Sequence, residues 1–442
     1  MPPPPAYTSP TRTSPRRLEP PSNSLSEREQ SPLSKRHKTE KCKWTNLTLA
    51  PEDAIFKLLG ECVADPSENK INLSVGAYRD NEGKPWVLPV VKKAKQILLT
   101  DPNANHEYFG LEGNTSFNEG SARLILGAKS QIFIDKRYTA IQTVSGTGAN
   151  RLAAEFLAKF RPASVYITSP TWGNHPKIFG AAGLPVVEYQ YWDPKTRSLN
   201  YNVLLENLRN APRGSIFVLH ACAHNPTGLD PTQEQWKEIA SIMKTQNHFP
   251  FFDCAYQGFA SGDLDRDAWA VRYFVDQGFE LLCAQSYSKN FGLYSERAGC
   301  LTGVFKDAET ALRAKTQFCA LVRCSISNAP GFGSKIVDIV LKDEKLCNEW
   351  KDNLKTMANR ITQMRQELYT HLVEIKTPGN WTHITTQIGM FSYTGISVKQ
   401  VAAIKSKFHV YMTDEGRISM AGLNENNVKR FAEAVDWVVR NV

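Results

Sequence analysis

A chain of 442 residues can bury a large core and hold two domains. At 41% hydrophobic and 22% charged residues its composition is that of an ordinary globular enzyme, and no stretch approaches the ~20 uninterrupted apolar residues of a membrane span. The net charge of +9 loses its suggestion of nucleic-acid binding once located: residues 1–43 hold nine Lys/Arg against four Glu, and the rest of the chain is only mildly basic.

Residues 1–44 read as a disordered, basic, Pro/Ser-rich tail, with Met-Pro-Pro-Pro-Pro, Thr-Ser-Pro and Ser-Pro-Leu-Ser and too few large apolar residues to fold. Lys35-Arg36-His37-Lys38 is a charge run within it. No apolar h-region marks a secretory signal, and the tail's prolines and glutamates oppose a transit helix. A cytoplasmic location is therefore expected, with a mitochondrial one as the alternative. Nine cysteines without a Cys-x-x-Cys pair or His/Cys spacing predict reduced core thiols and no metal site.

Past Trp44, strand and helix patterns alternate, which predicts an α/β fold with a mainly parallel sheet flanked by helices. Strands are expected at Ala140–Val144, Ser164–Thr168, Pro185–Tyr189, Ser215–Ala221, Phe251–Cys254 and Leu281–Gln285. Helices are expected over Ala149–Phe160, Pro231–Lys244 and Lys342–Leu372, the last broken by Thr377-Pro378-Gly379-Asn380. A smaller α+β segment follows, with a strand in Ile388–Tyr393, a helix near Val398–Phe408 and a final helix from Glu425.

Ligands of open parallel sheets bind beyond the carboxyl ends of the strands, and the chemistry-bearing motifs fall there. Ser145-Gly146-Thr147-Gly148 joins a strand to a helix and offers free N–H groups to an anion, without the lysine of a P-loop or the spacing of a dinucleotide fingerprint. Alone it reads as a helix cap. His224-Asn225-Pro226-Thr227-Gly228 is a tight turn that projects the Asn225 amide. Asp253 ends an apolar strand, three residues before Tyr256; a buried carboxylate needs a partner, either a structural cation or a protonated ring nitrogen. Trp172 follows another strand, with His175 in support, and suits either core packing or stacking on a planar group. Lys289 ends the run Leu281-Leu282-Cys283-Ala284-Gln285-Ser286-Tyr287-Ser288. Burial and the nearby Arg297 would both push its amine toward the neutral, nucleophilic form. Arg323 and Arg417 carry forks suited to carboxylates, though singly either passes for a surface residue.

Together with Asn72-Leu-Ser-Val-Gly-Ala-Tyr-Arg79 and Asn105-His-Glu-Tyr108, these motifs resemble the fold-type I, pyridoxal-phosphate-dependent aminotransferases of class I, in the branch that acts on aspartate. The resemblance runs from residue 45 to the end. It implies that Lys289 is the Schiff-base lysine and the base of the proton shift. Asp253 would pair with the pyridinium nitrogen, Asn225 and Tyr256 would meet the phenolic oxygen, and Trp172 would stack on the ring. Ser145, Gly146, Thr147, Ser286, Ser288 and Arg297 would hold the phosphate, with Tyr108 added from a second subunit. For the substrate, Gly76 and Arg417 would bind the α-carboxylate beside Trp172 and Asn225, and Arg323 of the other subunit the distal carboxylate.

The implied activity is reversible, ping-pong amino transfer from L-aspartate to 2-oxoglutarate through pyridoxamine phosphate, in a homodimer with shared active sites and neither nucleic acid nor membrane as partner. The implied domains are an arm and small-domain segment at 45–86, a large cofactor-binding domain at 87–356 and a small domain at 357–442. Ser74 stands where the family more often has glycine. Competing readings are an aromatic or kynurenine aminotransferase, a lyase on the same fold, and a non-enzymatic scaffold acting through residues 1–43.

Overall fold

Burial on both faces requires near-continuous apolar runs, and such runs make most of the central sheet. A computed structural model describes Trp44 and residues 46–442, so the expectations for residues 1–43 lie outside the described residues. Trp44 and residues 46–51 fall in one unit and Glu52–Val442 in another. The central sheet of the second unit has seven strands: β1 (Tyr138–Val144), β2 (Val165–Ser169), β3 (Val186–Gln190), β4 (Ile216–His220), β5 (Phe249–Cys254), β6 (Leu281–Ser286) and β7 (Ala298–Val304). Their spatial order is β1-β7-β6-β5-β4-β2-β3. All neighbours are parallel except β7, which runs antiparallel to both β1 and β6.

Six of these strands lie within two residues of their expected limits. The seventh, β7, is missing from the sequence reading because Gly299 and Gly303 weaken its strand pattern. Gly299 is there for a steric reason: a Cβ at that position would stand 2.4 Å from the Ser145 carbonyl carbon. The glycine lets β7 press against the start of the helix that carries the anion motif.

That helix, Ser145–Phe160, begins four residues earlier than expected, with Ser-Gly-Thr-Gly as its first turn. The helix expected over Lys342–Leu372 is Glu344–Glu374, and a further helix precedes it. Gly331–Lys342 ends where Asp343 caps Glu344–Glu374, accepting from the Leu346 N–H at 2.9 Å. The boundary expected at 356/357 falls inside this 31-residue rod. Helix Val398–Phe408 lies where expected, opened by a Ser397/Gln400 capping box, and the last helix is Val428–Asn441.

The two ends of the unit meet. Strand Ile71–Asn72 pairs in parallel with Val410–Tyr411, and the Ser419 N–H donates to the Leu73 carbonyl at 2.8 Å. Strand Phe391–Tyr393 pairs antiparallel with Arg417–Ser419. Among the described residues no helix is long and apolar enough to cross a membrane.

Candidate active site

The carboxyl ends of β1, β4, β5 and β6 and the start of β7 converge on one cavity, where ligands of open parallel sheets bind. Ser145, Gly146, Thr147, Trp172, Asn225, Asp253, Tyr256, Ser286, Lys289 and Arg297 all line it. His220, which the sequence reading did not single out, joins them.

One end of the cavity is built for an anion. Ser145 Oγ lies 3.2 Å from Ser286 Oγ and 2.9 Å from Ser288 Oγ. Arg297 Nη1 donates to Ser288 Oγ at 3.3 Å and to the Tyr294 carbonyl at 3.1 Å. No carboxylate compensates Arg297 among the described residues, and burial lowers its pKa. Gly146 and Thr147, in the first turn of helix Ser145–Phe160, line the same place, and first-turn N–H groups lack intrahelical partners. Three hydroxyls, free amides and an uncompensated guanidinium match the oxygens of a phosphate.

The same cavity holds a buried carboxylate. Asp253 Oδ2 accepts from His175 Nε2 at 2.9 Å and from Asn150 Nδ2 at 3.2 Å. Burial alone would raise the Asp253 pKa, but the His175 bond and the neighbouring imidazoles outweigh it and hold the pKa below the ordinary carboxylate value. Asp253 is therefore an anion ready for a cation in the cavity. Behind it, Thr171 Oγ1 bonds His175 Nδ1 at 2.8 Å and reaches His220 Nε2 at 3.4 Å. Burial, then His175, pulls the His220 pKa down to about 3, so this ring is neutral and its Nδ1 accepts the Asn225 N–H at 3.1 Å. The Asn225 turn is fixed again by Asp230, which accepts from the N–H groups of Ala223 and His224 at 2.6 and 2.9 Å. Asn150, Thr171, His220 and Asp230 are functional supports that motif reading missed. Only His220 left a signal, as a polar residue ending an apolar strand.

Lys289 lines the cavity too and feels the charges of both Asp253 and Arg297. Burial first, and Arg297 second, lower its pKa, while Asp253 raises it; the balance is about 8. Its Nζ lies 5.3 Å from the centre of the Tyr256 ring. The turn carrying it is held from both sides of Asn290, whose Nδ2 donates to the Gln257 carbonyl at 3.3 Å and whose carbonyl accepts from Trp350 Nε1 at 2.8 Å. Burial also pushes the Tyr256 phenol upward, so it stays protonated and can donate.

Arg417 and Gly76 adjoin this cavity through Phe391. The Arg417 guanidinium carbon lies 4.4 Å from the Phe391 ring centre, and Tyr256 meets the same ring edge-on at 5.9 Å. Arg417 Nη2 donates to the Ser74 carbonyl at 2.6 Å, and no carboxylate bonds it among the described residues. A Cβ on Gly76 would strike the Phe391 ring at 2.6 Å. Ser74 is buried, with its hydroxyl turned onto Asn72 Oδ1 at 2.6 Å.

Arg323 and Tyr108 are not brought to this cavity within one chain. Arg323 lies in the last turn of helix Ala308–Ser325; it is exposed and bonds Ser327 Oγ. Tyr108 is 82% exposed. The loop after the Arg323 helix adjoins the loop of Tyr108, since Asn328 Nδ2 donates to the Phe109 and Gly110 carbonyls at 2.8 and 3.0 Å.

The family model described as aminotransferase class I and II matches residues 68–435. A protein of Oryza sativa subsp. japonica named "Aspartate aminotransferase, cytoplasmic" is 50% identical over 397 residues, which cover 90% of this chain and 98% of that one. The solved structure of aspartate aminotransferase from Saccharomyces cerevisiae cytoplasm superposes with a TM-score of 0.88 at 44% identity, covering 90% of this chain and 98% of that one. An aromatic-amino-acid aminotransferase from Burkholderia pseudomallei, solved covalently bound to pyridoxal phosphate, gives 0.88 at 34% identity, covering 90% and 100%. By this extent of likeness, the chain belongs to the class I and II aminotransferases.

Proposed function

We propose that this chain is an aspartate aminotransferase that transfers the amino group of L-aspartate reversibly to 2-oxoglutarate, giving oxaloacetate and L-glutamate. The observation that carries the reading is a single cavity holding Lys289, an ionised Asp253 and the Ser145–Arg297 anion cradle. The names of the rice relative and the yeast structure support the substrate pair.

Pyridoxal phosphate fits the residues present. The hydroxyls and Arg297 would hold its phosphate and Asp253 its protonated ring nitrogen. Asn225 and Tyr256 would donate to its phenolic oxygen, Trp172 would cover the ring face, and Lys289 would bind it covalently. When bound, the group supplies an electron sink for charge that develops at the substrate's α-carbon.

The chain's own residues supply the rest. Lys289 Nζ, with a pKa near neutrality, can take a proton at one position and return it at another. Asp253 keeps its negative charge through its bonds to His175 and Asn150. Arg417 offers an uncompensated fork to the α-carboxylate, beside the backbone of Gly76. The same groups serve the amino acid and the keto acid, so both half-reactions of a ping-pong cycle can use one cavity.

A homodimer completes the proposal. Tyr108 and Arg323 lie exposed, in a loop and in the last turn of a helix whose following loop adjoins it, which suits their acting on a partner's cavity. We read 45–86 and 357–442 as the arm and small domain and 87–356 as the large domain; the pairing of Ile71–Asn72 with Val410–Tyr411 supports joining the two ends. We place the protein in the cytoplasm, following the names of the rice and yeast relatives.

The purified protein should be yellow and should couple aspartate to 2-oxoglutarate far faster than it uses phenylalanine or kynurenine. The Burkholderia neighbour favours an aromatic substrate as the second reading, and a preference for phenylalanine in this assay would adopt it. A colourless, fully active preparation would overturn the cofactor assignment.

A further inference from the structure

Arg365 lies on the rod Glu344–Glu374, only 3% exposed, and no carboxylate bonds it among the described residues. Burying a guanidinium without a counter-charge is costly, so its bonds must matter. All of them go to one backbone segment. Nη1 donates to the Ile384 carbonyl at 3.0 Å; Nη2 donates to the Gly389 carbonyl at 2.8 Å and to the Phe391 carbonyl. A planar fork spreads these bonds over two nitrogens in a fixed geometry, which the single ammonium of a lysine does not reproduce.

The segment it gathers controls the substrate end of the cavity. Its last residue, Phe391, lies under the Arg417 guanidinium, against Gly76 and edge-on to Tyr256. Phe391 also starts the strand that pairs with Arg417–Ser419, so moving it shifts both the arginine's backbone and the ring beneath its side chain. Just before Phe391 the segment is tied to the turn that carries Asn225, where the Ile388 N–H donates to the Gly228 carbonyl at 2.7 Å and a Cβ on Gly389 would meet Ala223 Cβ at 2.3 Å.

We propose that Arg365 is the positioning residue of the α-carboxylate clamp: by holding the 384–391 segment it sets Phe391, and through that ring the geometry of Arg417 and Gly76. The inference rests on the reading of Arg417 as a carboxylate-binding residue. Binding groups displaced by about 0.5 Å, or turned by 10–20°, lose their productive geometry, so the effect should appear in substrate affinity before it appears in cofactor binding or fold.

The test uses the full-length yellow protein, with succinate as a dicarboxylate probe followed by titration calorimetry and the visible absorbance as the measure of cofactor retention. Arg365→Lys is expected to weaken succinate binding at least ~10-fold and to raise the KM for aspartate more than it lowers kcat, with absorbance unchanged. Phe391→Leu, which leaves the three carbonyl bonds of Arg365 available, should weaken succinate in the same direction. In that background Arg365→Lys should add little. If Arg365→Lys does not fold, Phe391→Leu decides, and undiminished succinate binding overturns the inference. Wild-type binding with equal binding by a folded Arg365→Lys overturns the inference alone. A wild-type protein that binds no succinate overturns the reading of Arg417, and this inference with it.

Discussion

Ser145 and Arg297 both adopt left-handed backbone, with φ of 60° and 53°, and are hydrogen-bonded to each other, the Ser145 N–H donating to the Arg297 carbonyl at 2.9 Å. They sit one rung beyond the last pair of the β1–β7 ladder, Val144 with Ala298. Two neighbouring chains thus turn out of the sheet together, through a conformation that costs a non-glycine residue about 1 kcal/mol or more. The turn places a hydroxyl and a guanidinium in one cradle. Ser145→Gly and Ser145→Ala both remove the hydroxyl, but only alanine keeps the backbone cost. Both should weaken retention of pyridoxal phosphate on dialysis, and the glycine variant should be the more stable by about 1 kcal/mol in chemical denaturation.

The Lys289 amine should titrate near 8 rather than 10.5 in the cofactor-free protein. Its reaction with pyridoxal phosphate should then quicken about tenfold per pH unit up to that point and level off above it, as stopped-flow absorbance would show. The linkage to stability has the same origin. Below about 8 both folded and unfolded chains hold the proton; between 8 and 10.5 the folded chain has released it and the unfolded one has not. This residue's contribution to stability therefore rises with pH across that window. Unfolding of the wild type against Lys289→Met, at pH 7.5 and 9.5, measures it. In the complete enzyme, Lys289→Ala should reduce turnover more than about 10³-fold.

Asp253 is held ionised by His175 and Asn150, so its charge can be removed with little change of shape. Asp253→Asn should fold and lose about 10²–10³-fold in kcat, since a preorganised charge at a buried site is worth that much. Asp253→Glu should lose less. Steady-state kinetics with melting curves as a control would check both.

The two arginines should separate by substrate. Arg417→Ala is expected to weaken every amino acid, by about 10²-fold in kcat/KM, because it removes a charge-assisted fork. Arg323→Asp should fall steeply on aspartate and little on phenylalanine. Equal losses on both substrates would remove Arg323 from the distal-carboxylate role.

Sharing of sites between subunits can be read from mixed dimers. A Lys289→Ala chain and an Arg323→Asp chain are each poor enzymes on aspartate, but one site of their hybrid has an intact lysine from one subunit and an intact arginine from the other. Random assembly should restore about a quarter of wild-type activity. No recovery would mean that each chain uses its own Arg323.

The cavity residues were legible because each chemical group follows a strand with a plain apolar pattern: Asp253 ends β5, Lys289 follows β6, and Ser145 follows β1. What escaped was whatever depends on a contact distant in sequence. Gly299 and Gly303 blur the pattern of β7, and their purpose is visible only beside Ser145 and Phe305. Arg365 stands in Thr-Gln-Met-Arg-Gln-Glu-Leu, which resembles the solvated face of a helix, because its partners are main-chain carbonyls about twenty residues away. The outward placement of Arg323 and Tyr108 likewise had no expression in local pattern, since it concerns a surface.

The antiparallel β7 has a consequence for how the protein is made. Ser145 is joined to Ser286, Ser288 and Arg297 across more than a hundred intervening residues, and β7 is the strand that bridges β1 and β6. No early fragment of a growing chain can therefore contain the phosphate cradle, however well its first half folds. Closing so long a loop is slow, and a ligand held by both edges of the closure can reward only its completion. During synthesis, yellow colour should appear only after residues beyond Val304 have left the ribosome, which would make the cofactor a reporter of finished topology.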